Sequence, residues 1–168
     1  MPDSKPLEIE TVKIRQWIWI TLLIIIIDQL TKLLADNLLS YASPIEVIPM
    51  FNFTLLYNPG AAFSFLADQG GWQRWFFLAL TIVVSLFIFF WLRKLKIHQT
   101  MQYTALALVL GGAIGNLIDR AIYGHVIDFL DVYYQQRHWP AFNIADSAIT
   151  VGAFLLIYDT IKNPDEKS

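Results

Sequence analysis

Four long apolar segments, separated by polar stretches, dominate the sequence. They lie at about residues 17–34, 75–92, 100–118 and 141–158. Roughly 18 residues of helix rise about 27 Å, close to the ~30 Å hydrocarbon core of a bilayer. The apolar residues are continuous and do not alternate with polar ones, which favours helices over the strands of a barrel. The pattern predicts four transmembrane helices in a single integral-membrane domain of residues 1–168.

Two of the polar connections show a different pattern, which is typical of strands. Residues 45–57, within the loop 35–71, and residues 125–134, within the loop 119–140, are rich in β-branched and aromatic side chains. Turn-forming residues bound the first stretch, as they commonly bound short strands. We therefore expect an all-α membrane protein whose two longer loops form a small β-sheet beside the four helices.

The distribution of Lys and Arg predicts the orientation of these segments. Basic residues precede the first segment, connect the second to the third and follow the fourth: Lys5, Lys13, Arg15, Arg93, Lys94, Lys96, Lys162 and Lys167. The loop 35–71 contains no Lys or Arg, and the loop 119–140 has mixed charge. Because cytoplasmic loops carry the excess of basic residues, both termini should be cytoplasmic and the sheet extracytoplasmic. In a bacterium this places the chain in the inner membrane, with the sheet at the periplasmic face.

Composition agrees with a membrane protein and excludes several kinds of function. Hydrophobic residues make up 56% of the chain and charged residues 15%, and the mean hydropathy is +0.49. A soluble domain of this size could not bury so much apolar surface. The net charge of −2 offers no basic surface for nucleic acid. The absence of cysteine excludes disulfides, thiolate metal ligands and a cysteine nucleophile.

A few polar residues interrupt the apolar segments, where they are costly. Asp28 and Lys32 lie four residues apart on one helix face, so they either form a structural ion pair or face a substrate. Glycines among residues 111–115 predict close helix packing. Three further polar residues follow these glycines at the outer end of the same helix: Asn116, Asp119 and Arg120.

Asp128 and Asp146 are the strongest candidates for chemistry. Asp146 lies inside an apolar helix, where an ionised group is costly. The third segment runs outward and the fourth inward, so both aspartates can reach the same height near the outer leaflet. Two carboxyl groups held close together do not both ionise easily, and one keeps its proton. Such a pair activates a water as a base and donates a proton as an acid, which is the logic of aspartyl hydrolysis.

Five short motifs occur in order along the chain. They are DQLTK at residues 28–32, NPGAAFS at 58–64, GGAIGNLIDR at 111–120, VIDF at 126–129 and FNIAD at 142–146. Each motif is weak by itself, but their order and spacing closely resemble those of the bacterial lipoprotein signal peptidases, also called signal peptidase II. The resemblance extends over about residues 17–158.

The resemblance implies an intramembrane aspartyl endopeptidase that removes signal peptides from prolipoproteins, before a cysteine that carries diacylglycerol. Asp128 and Asp146 would be its catalytic pair. The resemblance also implies substrate-binding roles for Asn58, Gly60, Asn116, Arg120 and Asn143. It implies supporting roles for Asp28, Lys32 and Asp119. The implied partners are lipidated substrates, membrane lipid and the cyclic-peptide inhibitor globomycin, and we expect a monomer without metal or cofactor.

Two other classes of protein stay open on the residues alone. His125, Asp128 and His138 share one loop, which would suit a metallopeptidase, although the chain has no His-Glu-x-x-His motif and no glutamate in any span. A small transporter would use Asp28, Asp146 and Asp159 as ion sites. A transporter places its polar groups around the bilayer midplane, however, whereas most of these gather at the outer end.

Overall fold

The structure is a computed structural model that describes residues 5–60, 72–96 and 98–163. Within these ranges it contains four helices and one four-stranded sheet. In chain order the elements are α1 (Lys5–Leu38), β1 (Ile45–Ile48), β2 (Phe51–Asn58), α2 (Trp72–Lys94), α3 (Thr100–Ile122), β3 (Val126–Tyr134), β4 (Arg137–His138) and α4 (Ile144–Lys162).

Each of the four described helices is long and apolar enough to cross a membrane. The apolar parts are Trp17–Leu38, Arg74–Lys94, Thr100–Ile122 and Ile144–Lys162. Large apolar side chains are exposed along α2, among them Phe76, Val83 and Phe87, as expected of a helix that faces lipid. The predicted architecture of four spanning helices with a small sheet is therefore confirmed.

Three helices extend beyond their predicted spans at the sheet end of the bundle, and α2 does so by beginning at Trp72. α3 ends at Ile122, so Asp119 and Arg120 lie at the outer end of this helix, as expected, and the loop predicted for residues 119–140 begins later than predicted. Hydropathy falls where these charges begin, but the helix continues because Asp119 is buried inside the protein. α1 likewise continues to Leu38, beyond the predicted end of its span.

α4 begins at Ile144, later than predicted, because Asn143 caps it. The Asn143 side chain accepts a hydrogen bond from the backbone N–H of Asp146 at 2.9 Å. The Asp146 carboxylate accepts in return from the backbone N–H of Asn143 at 3.3 Å. This reciprocal cap holds Asp146 in the first turn of the helix. Phe142, which was predicted to be helical, pairs with β3 instead.

α3 lies at the centre of the bundle and packs against the other three helices. In its most apolar window 56% of the residues are buried, against 11% for α2. A Cβ at Gly112 would collide with the backbone oxygen of Ala145 on α4, and one at Gly115 would lie 2.5 Å from Oδ2 of Asp28 on α1. The predicted close packing at these glycines is therefore observed, and it brings α1 and α4 together around α3.

The strands form one antiparallel sheet in the order β1-β2-β3-β4. β2 places Leu56 opposite Asp128 and Asn58 opposite Val126. β1, β2 and β3 fall within the two strand-like stretches or within one residue of them, which confirms both predictions. β4 is too short to show a pattern in the sequence. Because β3 contacts α1 and α3, the sheet covers the end of the bundle at which the polar residues gather.

Candidate active site

Asp128 and Asp146, called the aspartate pair from here on, line one cleft between the sheet and the helix bundle. Asp128 lies on β3 and Asp146 in the first turn of α4. The cleft has a volume of about 1200 Å³, and Asn58, Gly60 and Arg120 also line it. The structure thus brings these five sequence-predicted site residues to one place. Residues 61–64 of the second motif lie outside the described part of the chain.

Asn143 joins the two carboxylates. Its Nδ2 donates to Oδ1 of Asp128 at 2.7 Å, and its backbone N–H donates to Oδ2 of Asp146 at 3.3 Å. Asn143 is fully buried, and its Nδ2 also contacts the backbone oxygen of Ile127 at 3.3 Å. The residue that starts α4 therefore also sets the position of one carboxylate relative to the other.

Two further amides complete the surroundings of the aspartate pair. Asn58 Nδ2 donates to Oδ2 of Asp128 at 3.0 Å. Asn116 Nδ2 donates to Oδ1 of Asp146 at 2.8 Å. Among the described side chains, neither carboxylate forms an ion pair. Both carboxylates are thus held by neutral donors.

This environment makes it costly for Asp128 to ionise. Burial, and next the charge of Asp146, raise the pKa of Asp128 from 3.8 to about 7. The hydrogen bonds from Asn58 and Asn143 favour the ionised form but do not offset these effects. The aspartate pair can therefore hold a proton near neutral pH, as an acid–base catalyst must.

Asp28, Lys32 and Asp119, called the ion cluster from here on, lie directly behind the aspartate pair. Lys32 Nζ lies 2.8 Å from Oδ2 of Asp28 and 2.9 Å from Oδ2 of Asp119. None of the three side chains is more than 2% exposed. Of the two alternatives for Asp28 and Lys32, the structure has the ion pair, and Asp119 adds a second carboxylate from α3. Lys32 does not reach outward to water, because both carboxylates hold it inside.

The ion cluster contacts the backbone immediately before each member of the aspartate pair. Asp28 Oδ1 accepts from the backbone N–H of Ala145 at 2.8 Å. Asp119 Oδ2 accepts from the backbone N–H of Ile127 at 3.1 Å. Lys32 Nζ also donates to Oδ1 of Asn116 at 2.9 Å, and Asn116 in turn holds Asp146. The cluster thus fixes the geometry of the pair without touching either carboxylate.

Arg120 brings unsatisfied donors to the cleft. Its guanidinium lies over the ring of Phe77 on α2, at 5.4 Å from the centroid. Its buried Nε has no hydrogen-bond partner among the described residues. Nη1 makes only a long contact of 3.5 Å with the backbone oxygen of Asn116. These planar donors are suited to hold a carbonyl or carboxylate group of a ligand.

Two residues that sequence analysis missed hold the site from outside. Arg74 donates from Nε to the backbone oxygen of Arg120 at 3.0 Å and from Nη2 to that of Ala121 at 2.7 Å, so it caps the end of α3. Gln29 donates to Oδ1 of Asp119 at 2.8 Å. A charge at the start of an otherwise apolar helix was a signal for Arg74. For Gln29 the sequence contained no such signal apart from its position in the first motif.

The histidines of the metallopeptidase reading have partners other than Asp128, and Asp159 of the transporter reading lies far from Asp28 and Asp146. His138 contacts Asp131, whereas His125 lies against the rings of Tyr57 and Tyr123. Burial lowers the pKa of His125. In the ranges that the structure describes, no three His, Cys, Asp or Glu side chains are grouped as metal ligands would be. Asp159 accepts from Gln102 at 2.6 Å, at the opposite end of the bundle from the cleft.

A bundle of four spanning helices, with two carboxylates held by amide groups at one end, is the arrangement of a membrane-embedded aspartic hydrolase. Comparison with known proteins places it more narrowly. The family model described as signal peptidase (SPase) II matches residues 20–162. The chain belongs to this family, as its five motifs indicated.

Curated relatives named lipoprotein signal peptidase support the assignment over most of the chain. One from Alteromonas mediterranea is 53% identical, over 91% of this chain and 84% of its own length. One from Pseudomonas putida is 56% identical, over 88% of this chain and 87% of its own length. One from Burkholderia thailandensis is 56% identical, over 87% of each.

Solved structures agree with the fold. A bacterial membrane enzyme determined by the in meso method at 2.3 Å resolution has a TM-score of 0.81 and 33% identity, covering 92% of this chain and 93% of the other. A second, at 1.9 Å resolution, has a TM-score of 0.79 and 34% identity, covering 89% and 95%. The chain is therefore an aspartic endopeptidase of the signal peptidase II family and a multi-pass protein of the bacterial inner membrane.

Proposed function

We propose that this chain cleaves prolipoproteins directly before the diacylglyceryl-modified cysteine, with Asp128 and Asp146 as its catalytic residues. The relatives' name, lipoprotein signal peptidase, supports the choice of substrate. The observation that carries the proposal is the aspartate pair itself: Asp128 is buried, Asp146 is half-buried, amide groups alone donate to both carboxylates, and both line one cleft.

The proposed reaction needs one carboxylate and one carboxylic acid. A water between them attacks the scissile carbonyl carbon as the ionised carboxylate takes its proton, and the acid protonates the carbonyl oxygen. The tetrahedral diol then collapses. The carboxyl that took the water's proton passes it to the leaving nitrogen, the C–N bond breaks, and a diol hydroxyl returns its proton to the other carboxylate. The raised pKa of Asp128 supports its role as the acid at neutral pH.

The remaining site residues would bind the substrate backbone or hold the pair. Nε of Arg120 has no hydrogen-bond partner among the residues that the structure describes, and we assign the guanidinium to a peptide carbonyl. Asn58, Asn116 and Asn143 donate hydrogen bonds to the aspartates, but of these three only Asn58 lines the cleft, so Asn116 and Asn143 would act by holding the pair. The backbone N–H of Gly60 donates to Oδ1 of Asn58 at 3.1 Å, which fixes this amide as a substrate enters. The ion cluster supports the site without contacting substrate.

The proposed orientation places the cleft near the periplasmic face and both termini in the cytoplasm. Arg93, Lys94, Lys96 and Lys162 all lie at the end of the bundle remote from the sheet, which supports it. Because the chain has no cysteine of its own, labelling of a single introduced cysteine shows on which side of the membrane that residue lies. Glu46→Cys, on the exposed β1, should react with an impermeant maleimide in intact spheroplasts, and Lys96→Cys should not. The reverse pattern would contradict the orientation.

Three further expectations belong to the same proposal. Substrate acyl chains and membrane lipid should contact the exposed apolar helix surfaces beside the cleft. Globomycin should compete with substrate by binding in the cleft. The chain should act as a monomer of one domain.

A cleavage assay with purified enzyme tests the function. A diacylated prolipoprotein and its unlipidated form are presented at equal surface concentration, with no ion gradient. We expect cleavage of the diacylated substrate to be favoured, because burial of each CH₂ contributes about 0.8 kcal/mol. EDTA should leave activity unchanged. Equal cleavage of both substrates would contradict the lipid requirement, and loss of activity in EDTA that zinc restores would favour a metallopeptidase.

A further inference from the structure

A second buried carboxylate faces the same cleft and has no part in the proposed reaction. Asp131, on β3, is only 4% exposed and lines the cleft together with His138 of β4. Asn52 Nδ2, on the neighbouring β2, donates to Oδ2 of Asp131 at 2.9 Å. Nδ1 of His138 lies 2.9 Å from Oδ1 and 3.0 Å from Oδ2 of the same carboxylate.

This carboxylate fixes both the tautomer and the orientation of the imidazole. Because a carboxylate only accepts hydrogen bonds, the proton of His138 lies on Nδ1, and Nε2 of the neutral ring is then an acceptor. The ring also stacks on Tyr133, with centroids 5.4 Å apart and planes at 23°. The side chain is 51% exposed. In its uncharged form, His138 therefore offers a fixed acceptor at Nε2 on the wall of the cleft.

The spacing along β3 relates this acceptor to the scissile bond. Asp131 follows Asp128 by three residues on the same strand, which corresponds to about 10 Å. An extended peptide bound beside the strand covers this distance in roughly three residues of its own. The sheet lies beyond the helix ends, so the part of a substrate that passes over it is the part outside the membrane.

We propose that Nε2 of His138 accepts a backbone N–H from the substrate segment that follows the lipidated cysteine, about three residues beyond the scissile bond. Asp131 is the positioning residue that holds His138. The ligand is a peptide backbone, so the contact does not depend on the substrate's side chains. This inference rests on the proposed function, because it takes the substrate to be a lipidated peptide cleaved at the aspartate pair.

The test compares two diacylated substrates with the same signal peptide. The short one ends at the lipidated cysteine as its amide, and the long one continues across the sheet. His138→Phe keeps the ring on Tyr133 and removes the acceptor. It should raise KM for the long substrate about 3- to 10-fold, with little change in kcat, and leave the short substrate unaffected. Equal effects on both substrates, or none on either, would overturn the proposal.

A second variant and a control distinguish positioning from folding. Asp131→Asn should raise KM for the long substrate alone, and combining it with His138→Phe should add little. Arg137→Ala, an exposed neighbour on β4 that does not line the cleft, should behave like the wild type with both substrates. If wild-type KM is the same for both substrates, this inference fails and the proposed function stands. If the wild type cleaves neither, the proposed function fails as well.

Discussion

The aspartate pair and the ion cluster lie next to each other but differ in their partners. In the ion cluster two carboxylates share one ammonium group and are closed to solvent. In the aspartate pair the carboxylates have amide donors and open to the cleft. Asn116 connects the two groups, since it accepts from Lys32 and donates to Asp146.

The difference shows what separates a supporting carboxylate from a reactive one. In the ion cluster the carboxylates share a cation, and their other oxygens fix backbone N–H groups. A buried carboxylate beside neutral amides ionises with more difficulty and can exchange a proton. The position of one lysine therefore separates the roles of these four aspartates.

Removing a carboxyl group from the aspartate pair should have the largest effect. Asp128→Asn and Asp146→Asn each keep the side-chain shape but lose proton transfer, so turnover should fall by at least about 10³-fold. The double variant should be scarcely worse, because residues that act as a unit are not additive. Single-turnover cleavage measures this. Clear activity in either single variant, with wild-type globomycin binding, would show that the pair is not the catalyst.

Removing the cation should instead affect stability. Lys32→Met leaves two buried carboxylates without their ion-pair partner, and we expect a loss of about 3–5 kcal/mol. Denaturant unfolding in detergent micelles measures it. Lys94→Met, at the exposed end of α2, is the matched control and should change stability little. Wild-type stability in the Lys32 variant would mean that the cluster does not hold the site.

The pH profile should follow Asp128. Since its pKa is raised to about 7, kcat/KM should fall as the pH rises through that value and the proton is lost. Asn58→Leu removes a hydrogen bond that favours the ionised form of Asp128. The fall of kcat/KM should therefore occur at a higher pH in this variant. The same raised pKa makes folding less favourable as the pH rises from 3.8 towards 7. A fall of kcat/KM at lower pH in the variant than in the wild type would contradict the assignment of this titration to Asp128.

The smallest effect is expected at the opposite end of the bundle. Asp159 accepts from Gln102 at 2.6 Å and from Asn163 at 3.0 Å, and it lies outside the cleft. Asp159→Asn should reduce stability by about 1 kcal/mol and leave kcat/KM unchanged. A large loss of activity would instead support the reading in which acidic residues at both ends act together, as in a transporter.

Much of the fold was predictable because single-chain patterns determine it. Continuous apolar segments gave the four spans, and β-branched and aromatic stretches gave the sheet. The end of α3 and the start of α4 were not predictable from these patterns. The first depends on a charge that tertiary contacts bury, and the second depends on a side-chain cap. Hydropathy records neither kind of contact.

The candidate site was predictable in its residues more than in its connections. The costly Asp146 and the four-residue spacing of Asp28 and Lys32 were visible in the sequence. Three contacts were not visible: the pairing of Asp119 with Lys32, the cap that Arg74 places on α3, and the contact of Asp131 with His138. Each joins elements that are distant along the chain or has no sequence pattern of its own.

The most direct test of this account is an infrared titration of the purified enzyme, which detects protonated carboxyl groups. We expect a protonated carboxyl band at pH 6 that disappears as the pH rises above about 7, as the raised pKa of Asp128 requires. The band should be absent from Asp128→Asn and retained in Asp159→Asn. A band that survives in Asp128→Asn, or the lack of any band in the wild type, would contradict the claim that the aspartate pair holds the catalytic proton.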